Sequence, residues 1–201
     1  MGDSAMLGGS GYARNENDFY PTEPAATQVA VDFFREHFPW VKTVWEPAAG
    51  AGDMVGVLRQ KFSVVSTDKY PQEIEGLDDE EQAELSFDFL VDVPTFDFDA
   101  VITNPPYGDL AEEFAKKCVE YVERTGTPAA LLLRNEWDCA KSRRYLLGGN
   151  KLYYGKIVLL WRPRWVPGSE GSPRHNYAWY IWAPVRTGEA KIYYANKPSL
   201  A

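Results

Sequence analysis

Cysteine and histidine are scarce in this 201-residue chain: Cys118 and Cys139, His37 and His175, and no others. Two cysteines cannot build a disulfide scaffold, and their place in helix-like stretches fits a reducing compartment. Two distant histidines among scattered acids give no ligand cluster, so no metal site is expected. The chain has no run approaching the roughly 18 apolar residues that span a bilayer, and residues 1–17, polar and rich in glycine, lack the apolar segment of a signal peptide. A cytoplasmic location without a membrane partner is expected. Positive charge is also short, with 21 Lys+Arg against 29 Asp+Glu and a formal net charge of -8. Taken in bulk, this opposes nucleic-acid binding, because phosphate contacts need a positive surface.

The charge is unevenly spread. Residues 46–123 hold 5 Lys+Arg against 19 Asp+Glu, whereas residues 134–174 hold 9 against 3. A basic carboxyl-terminal face can therefore meet a polyanion even though the whole chain is acidic. At 45% hydrophobic and 25% charged residues the composition is that of one globular domain. We expect a flexible tail over 1–17 and a single domain over 18–201.

Short apolar runs alternate with longer stretches of mixed polarity. Residues 43–45, 63–67, 100–102, 129–133, 157–161 and 177–182 read as strands, being brief and rich in β-branched and aromatic residues. Residues 24–38, 52–61, 110–123 and 135–147 read as the helices covering them. Strands apolar on both faces belong inside a covered sheet, so the class is α/β. The last two strands, joined by the Pro-, Gly- and Arg-rich stretch 162–176, read as an antiparallel hairpin. The acidic stretch 73–84 reads as a solvated loop or helix.

Three motifs carry chemistry. Glu46-Pro47-Ala48-Ala49-Gly50-Ala51-Gly52 leaves a strand and enters a helix, where Gly50 and Gly52 permit a tight turn and close approach of a ligand. It is neither a G-x-G-x-x-G fingerprint nor a phosphate-binding P-loop. Asp68 ends the next strand, where a carboxylate can accept both hydroxyls of a ribose. Asn104-Pro105-Pro106-Tyr107 leaves a third strand as a stiff extended segment with free carbonyls and an aromatic ring.

Together these motifs resemble the S-adenosylmethionine-dependent amino-methyltransferases with an Asn-Pro-Pro-Tyr signature, most nearly the N6-adenine DNA methyltransferases. The resemblance runs over about residues 18–182. It implies a class I methyltransferase (Rossmann-like) fold, a seven-stranded, mostly parallel sheet with a carboxyl-terminal antiparallel hairpin. The cofactor it implies is S-adenosyl-L-methionine, held by Tyr20, Thr22, Glu46, Ala48, Gly50, Gly52, Asp68, Asp88, Phe89 and Asn104. Within that set, Asp88 and Phe89 match the element that brackets the cofactor's adenine. Tyr20 and Thr22 lie in the amino-terminal element Phe19-Tyr20-Pro21-Thr22-Glu23-Pro24, where Thr22 is suited to cap the helix starting at Pro24.

The catalytic set implied is Asn104, Pro105, Pro106 and Tyr107. An exocyclic amine is a weak nucleophile because its lone pair is delocalised into the ring. The Asn104 side-chain oxygen and the Pro105 carbonyl would take its two hydrogens and turn the lone pair toward the methyl group. Tyr107 offers a ring for stacking, a contact of roughly 1–3 kcal/mol with a base. A duplex base would have to be flipped out to reach such a site. Arg162, Arg164, Trp165, Arg174 and His175, with Tyr177, are the residues expected to hold a nucleic-acid substrate, DNA foremost. RNA, a protein glutamine amide, or a non-catalytic binding role are the alternatives. The family's sizeable target-recognition domain has no counterpart here, so sequence selectivity is expected to be weak, loop-borne or supplied by a partner. One such domain can act as a monomer.

Overall fold

The computed structural model describes residues 21–71, 86–165, 174–184 and 189–199. Tyr20, the expected tail and the acidic stretch 73–84 lie outside them. Seven strands form one sheet: β1 (Thr43–Glu46), β2 (Ser63–Ser66), β3 (Ala100–Thr103), β4 (Ala129–Arg134), β5 (Tyr153–Leu159), β6 (Tyr177–Trp182) and β7 (Lys191–Ala195). Their order is β2-β1-β3-β4-β6-β5-β7. Every pairing is parallel except the two made by β6, which runs against β4 and β5. The mostly parallel α/β sheet with an antiparallel β5–β6 hairpin is thus present.

Alternation of side chains along the strands divides the core in two. Val44, Ile102, Leu132, Trp179 and Ile181 face helix α1 (Pro24–His37) and helix α2 (Asp53–Leu58), whose Phe34, Met54 and Leu58 pack against them. Trp45, Val101, Leu131, Leu133, Tyr180 and Trp182 face helix α3 (Asp109–Thr125), which contributes Phe114, Cys118 and Val122. Trp179 and Trp182 are fully buried, and their indole N–H groups donate to the Ala26 and Leu146 carbonyls at 2.8 and 2.7 Å. Burial of such rings supplies several kcal/mol each, with the polar edge satisfied. Among the described residues no helix is long and apolar enough to cross a membrane.

Two elements differ from expectation. Residues 135–147 form two 3-10 turns, Trp137–Cys139 and Lys141–Arg143, instead of a helix. Several carbonyls of the segment accept main-chain N–H groups three residues on, and three others are taken by side chains. Asn135 O accepts Tyr180 OH at 2.8 Å and Lys156 Nζ at 3.2 Å. Trp137 O accepts Arg143 Nη1 at 2.9 Å, and Leu146 O accepts Trp182. The second difference is β7, an unforeseen edge strand lying parallel to β5. It approaches at Gly155 (φ 149°), where a Cβ would stand 2.1 Å from the Lys191 carbonyl oxygen, so only glycine fits.

Candidate active site

The carboxyl ends of β1, β2, β3 and β4 share one edge of the sheet, and the residues with chemistry gather there. After β1 the chain turns through Gly50 (φ 52°) and Gly52 (φ 84°) into α2. Asp68, just past β2, fixes this turn: its Oδ2 accepts the Gly50 N–H and its Oδ1 accepts the Tyr70 N–H, both at 2.8 Å. Each oxygen keeps a further lone pair for a ligand. The Ala49 N–H donates to the Thr67 carbonyl at 3.0 Å, tying the same loop to the end of β2.

Glu46 lies beneath this loop, fully buried. Its Oε1 accepts the Ala48 N–H at 3.1 Å and the Thr103 hydroxyl at 2.5 Å, joining loop and β3. Its Oε2 has no hydrogen-bond partner among the described residues. Burial is the main reason its pKa rises to about 8, with the charge of Asp68 adding to it against the two hydrogen bonds.

Ser86 pairs with Asp68 in an isolated bridge and the Phe87 N–H donates to the Asp68 carbonyl, which brings Asp88 alongside. Burial pushes the Asp88 carboxyl upward, but hydrogen bonds from Lys69 and the Leu90 N–H outweigh it and hold the group below the usual aspartate range. The Phe89 ring is turned into the core, 5.1 Å from Trp45 and 4.8 Å from Phe114. It backs the Asp88 segment from inside.

β3 ends in buried Thr103, and Asn104 follows. The Asn104 amide is held at both ends: Nδ2 donates to Thr22 Oγ1 and Oδ1 accepts the Tyr107 hydroxyl, each at 3.0 Å. Thr22 is therefore not the cap of α1. Glu23 occupies that position, without a side-chain capping bond. Its carboxylate is drawn instead to Trp161 Nε1 (3.1 Å), the Arg164 N–H (3.3 Å) and Lys197. Pro24, opening the helix, brings no N–H in need of a cap.

Burial and the neighbouring Tyr177 hold the Tyr107 hydroxyl well above its usual pKa, so it stays protonated and able to donate. Its ring centroid lies 6.0 Å from Tyr177 and 6.4 Å from Trp165, while Trp165 and Tyr177 meet edge-on at 4.7 Å. The structure thus sets Trp165 and Tyr177 against Tyr107 of the Asn-Pro-Pro-Tyr segment. Arg174, His175 and Asn176 precede β6 on the same edge. Arg162 Nε donates to Asn176 Oδ1 at 3.1 Å. Partial burial, then the charges of Arg134, Arg174 and Arg162, hold His175 below the usual histidine range, with Glu136 pulling the other way.

Arg134 is the residue that sequence reasoning missed. It ends β4 beside Tyr177, its pairing partner on β6, and its positive charge reaches Tyr107, Tyr177 and His175. The signal was there to read: a lone exposed arginine at the carboxyl end of the otherwise buried run Ala129–Leu133. Among the described residues no group of three or more acids, histidines or cysteines is placed to hold a metal ion.

No family model and no curated protein matches the chain. Solved structures do. One is a protein of Listeria monocytogenes assigned as a class I S-adenosylmethionine-dependent methyltransferase (TM-score 0.59, 14% identity, 94% of this chain and 68% of that one). Another comes from a type I restriction-modification system (0.55, 18%, 94% and 46%). A third is assigned as a modification subunit of a type I restriction enzyme from Vibrio vulnificus (0.50, 15%, 92% and 48%). The chain spans about half the length of these last two. What is shared at such identities is the fold, and this chain has the class I methyltransferase fold.

Proposed function

We propose that this protein transfers a methyl group from S-adenosyl-L-methionine to an exocyclic amino nitrogen, N6 of adenine in DNA. The observation that carries the reading is the Asn104 amide, half-buried and held by Thr22 and Tyr107 beside a glycine turn fixed by Asp68. The donor set fits the cofactor. Asp68 has lone pairs to spare for two ribose hydroxyls, the buried Glu46 Oε2 lacks a partner, and a Cβ at Gly52 would meet nothing nearer than 4.0 Å. Glu46, Ala48, Gly50, Gly52, Asp68 and Asp88 would hold it, Phe89 backing them from the core. Bound there, it supplies an electrophilic methyl on a sulfonium.

The chain's own part is orientation. Asn104 Oδ1 and the Pro105 carbonyl accept the two amine hydrogens and aim the nitrogen lone pair at the methyl carbon. The nitrogen so held would take up that methyl, the sulfur keeping the electron pair of its bond, and its surplus proton would pass to water. The acceptor takes the place of the Tyr107 hydroxyl on Asn104 Oδ1, freeing that ring to stack against the base. Trp165, Tyr177 and His175 line the far side, and Arg162, Arg164, Arg174 and Arg134 meet phosphates. The restriction-modification neighbours support DNA as the acceptor. Incubation with methyl-labelled cofactor and DNA, followed by nucleoside analysis, should place the label in N6-methyladenine. Label found in RNA or protein and absent from DNA would reassign the acceptor.

A further inference from the structure

We propose that Thr22 is a positioning residue that holds the Asn104 amide in its working plane, rather than a contact to the cofactor. The inference rests on the function proposed above. An asparagine amide is nearly symmetric in shape but not in chemistry, since its oxygen accepts and its nitrogen donates. Only one orientation offers the oxygen to an incoming amine. Among the described residues the amide has two side-chain partners, Thr22 at Nδ2 and Tyr107 at Oδ1. When an acceptor amine displaces the Tyr107 hydroxyl, Thr22 alone of the two is left to hold the group.

The position of Thr22 is itself well determined. The residue is 6% exposed and stands next to Glu23, whose carboxylate accepts from Trp161 Nε1 and the Arg164 N–H beyond β5. Three residues further on, the Ala26 carbonyl accepts the buried Trp179 indole N–H of β6. The start of α1 is thus pinned to β6 and to the segment after β5, and from that fixed point the Thr22 hydroxyl reaches the amide. The same pinned turn places Arg164 and Trp165, so catalytic amide and acceptor wall share one reference point.

Thr22→Val keeps the shape and removes the hydroxyl, leaving the amide free to rotate with an unpaired N–H. We expect kcat to fall about tenfold or more, the cofactor Kd by calorimetry to stay within about twofold, and Thr22→Ser to restore most of the rate. A weakened cofactor Kd with kcat intact would make Thr22 a cofactor contact and overturn the proposal, as would wild-type kcat in Thr22→Val. A second readout needs no activity: the side-chain amide signal of Asn104 in 15N spectra, identified by its loss in Asn104→Asp. Its protons should exchange faster with water in Thr22→Val and as in wild type in Thr22→Ser. Unchanged exchange in Thr22→Val would overturn the contact. A wild-type protein that methylates nothing, yet shows the exchange effect, would sink the proposed function and leave the Thr22–Asn104 pairing standing.

Discussion

The two halves of the sheet are built by different means. At the ends of β1 and β2 the site is shaped through backbone: the Asp68 carboxylate takes two main-chain N–H groups, Glu46 takes another, and glycines with positive φ shape the turn. From β5 to β7 it is made by side chains, with Trp165 and Tyr177 meeting each other and Tyr107, Trp161 meeting the Glu23 carboxylate and Trp179 the Ala26 carbonyl. Main-chain geometry is tied to a few residue types in a short order, and leaves motifs. Aromatic packing tolerates many arrangements and leaves composition only.

On the proposed function, cofactor and chemistry fall to the acidic half and the acceptor to the basic half, and separable defects would test that division. Asn104→Ala should abolish turnover, a loss of about a thousandfold or more, while cofactor affinity by calorimetry and DNA affinity at equilibrium stay nearly unchanged. Activity within a few-fold of wild type would remove Asn104 from the mechanism. Replacing Arg162, Arg164 and Arg174 together by Ala should weaken DNA binding and flatten the slope of log Kd against log salt by up to about three contacts' worth of counterion release. Cofactor affinity should not change. A lower Tm with an unaltered salt slope would mean that these arginines serve the fold.

Smaller effects would sharpen the boundary. Asp68→Ala should cost more than about 1 kcal/mol of cofactor affinity through lost charge-assisted bonds and a loosened glycine turn. Unchanged affinity would clear Asp68 of that role. Glu46 gives a test by pH. Its folded pKa, about 8, lies above the unfolded value near 4.5, so the folded state holds a proton that the unfolded state loses. Its contribution is fully present below about pH 4.5, declines as pH rises from there to about 8, and changes no further above. Glu46→Gln keeps an oxygen for Thr103 and Ala48, and should remove that part of the decline in urea midpoints across this window. An identical slope in both proteins would show that Glu46 ionises freely in the fold.

What could be read in advance follows the same line. Glu46 to Gly52, Asp68 and Asn104 to Tyr107 come together at one edge, because each sits at a strand end and parallel strands end on the same side. Thr22 could be placed before a helix but not paired with Asn104, 82 residues away. Residues 135–147 have a helix's composition, yet the carbonyls of Asn135, Trp137 and Leu146 are claimed by Tyr180 and Lys156, Arg143, and Trp182, contacts that mostly come from elsewhere in the fold. Lys191–Ala195 is a five-residue strand, and its partner is revealed only by the missing side chain at Gly155.

β7 also closes one edge of β5. It covers the outer hydrogen-bonding row of β5, a seven-residue strand that would otherwise be open to any other extended chain. In place of that long edge it presents a shorter one, headed by an exposed lysine. Because the cover is seated on a glycine, with any Cβ excluded by the Lys191 carbonyl, one substitution there would bare the longer edge without touching a catalytic group. Such a protein would reveal itself first as turbidity on concentration.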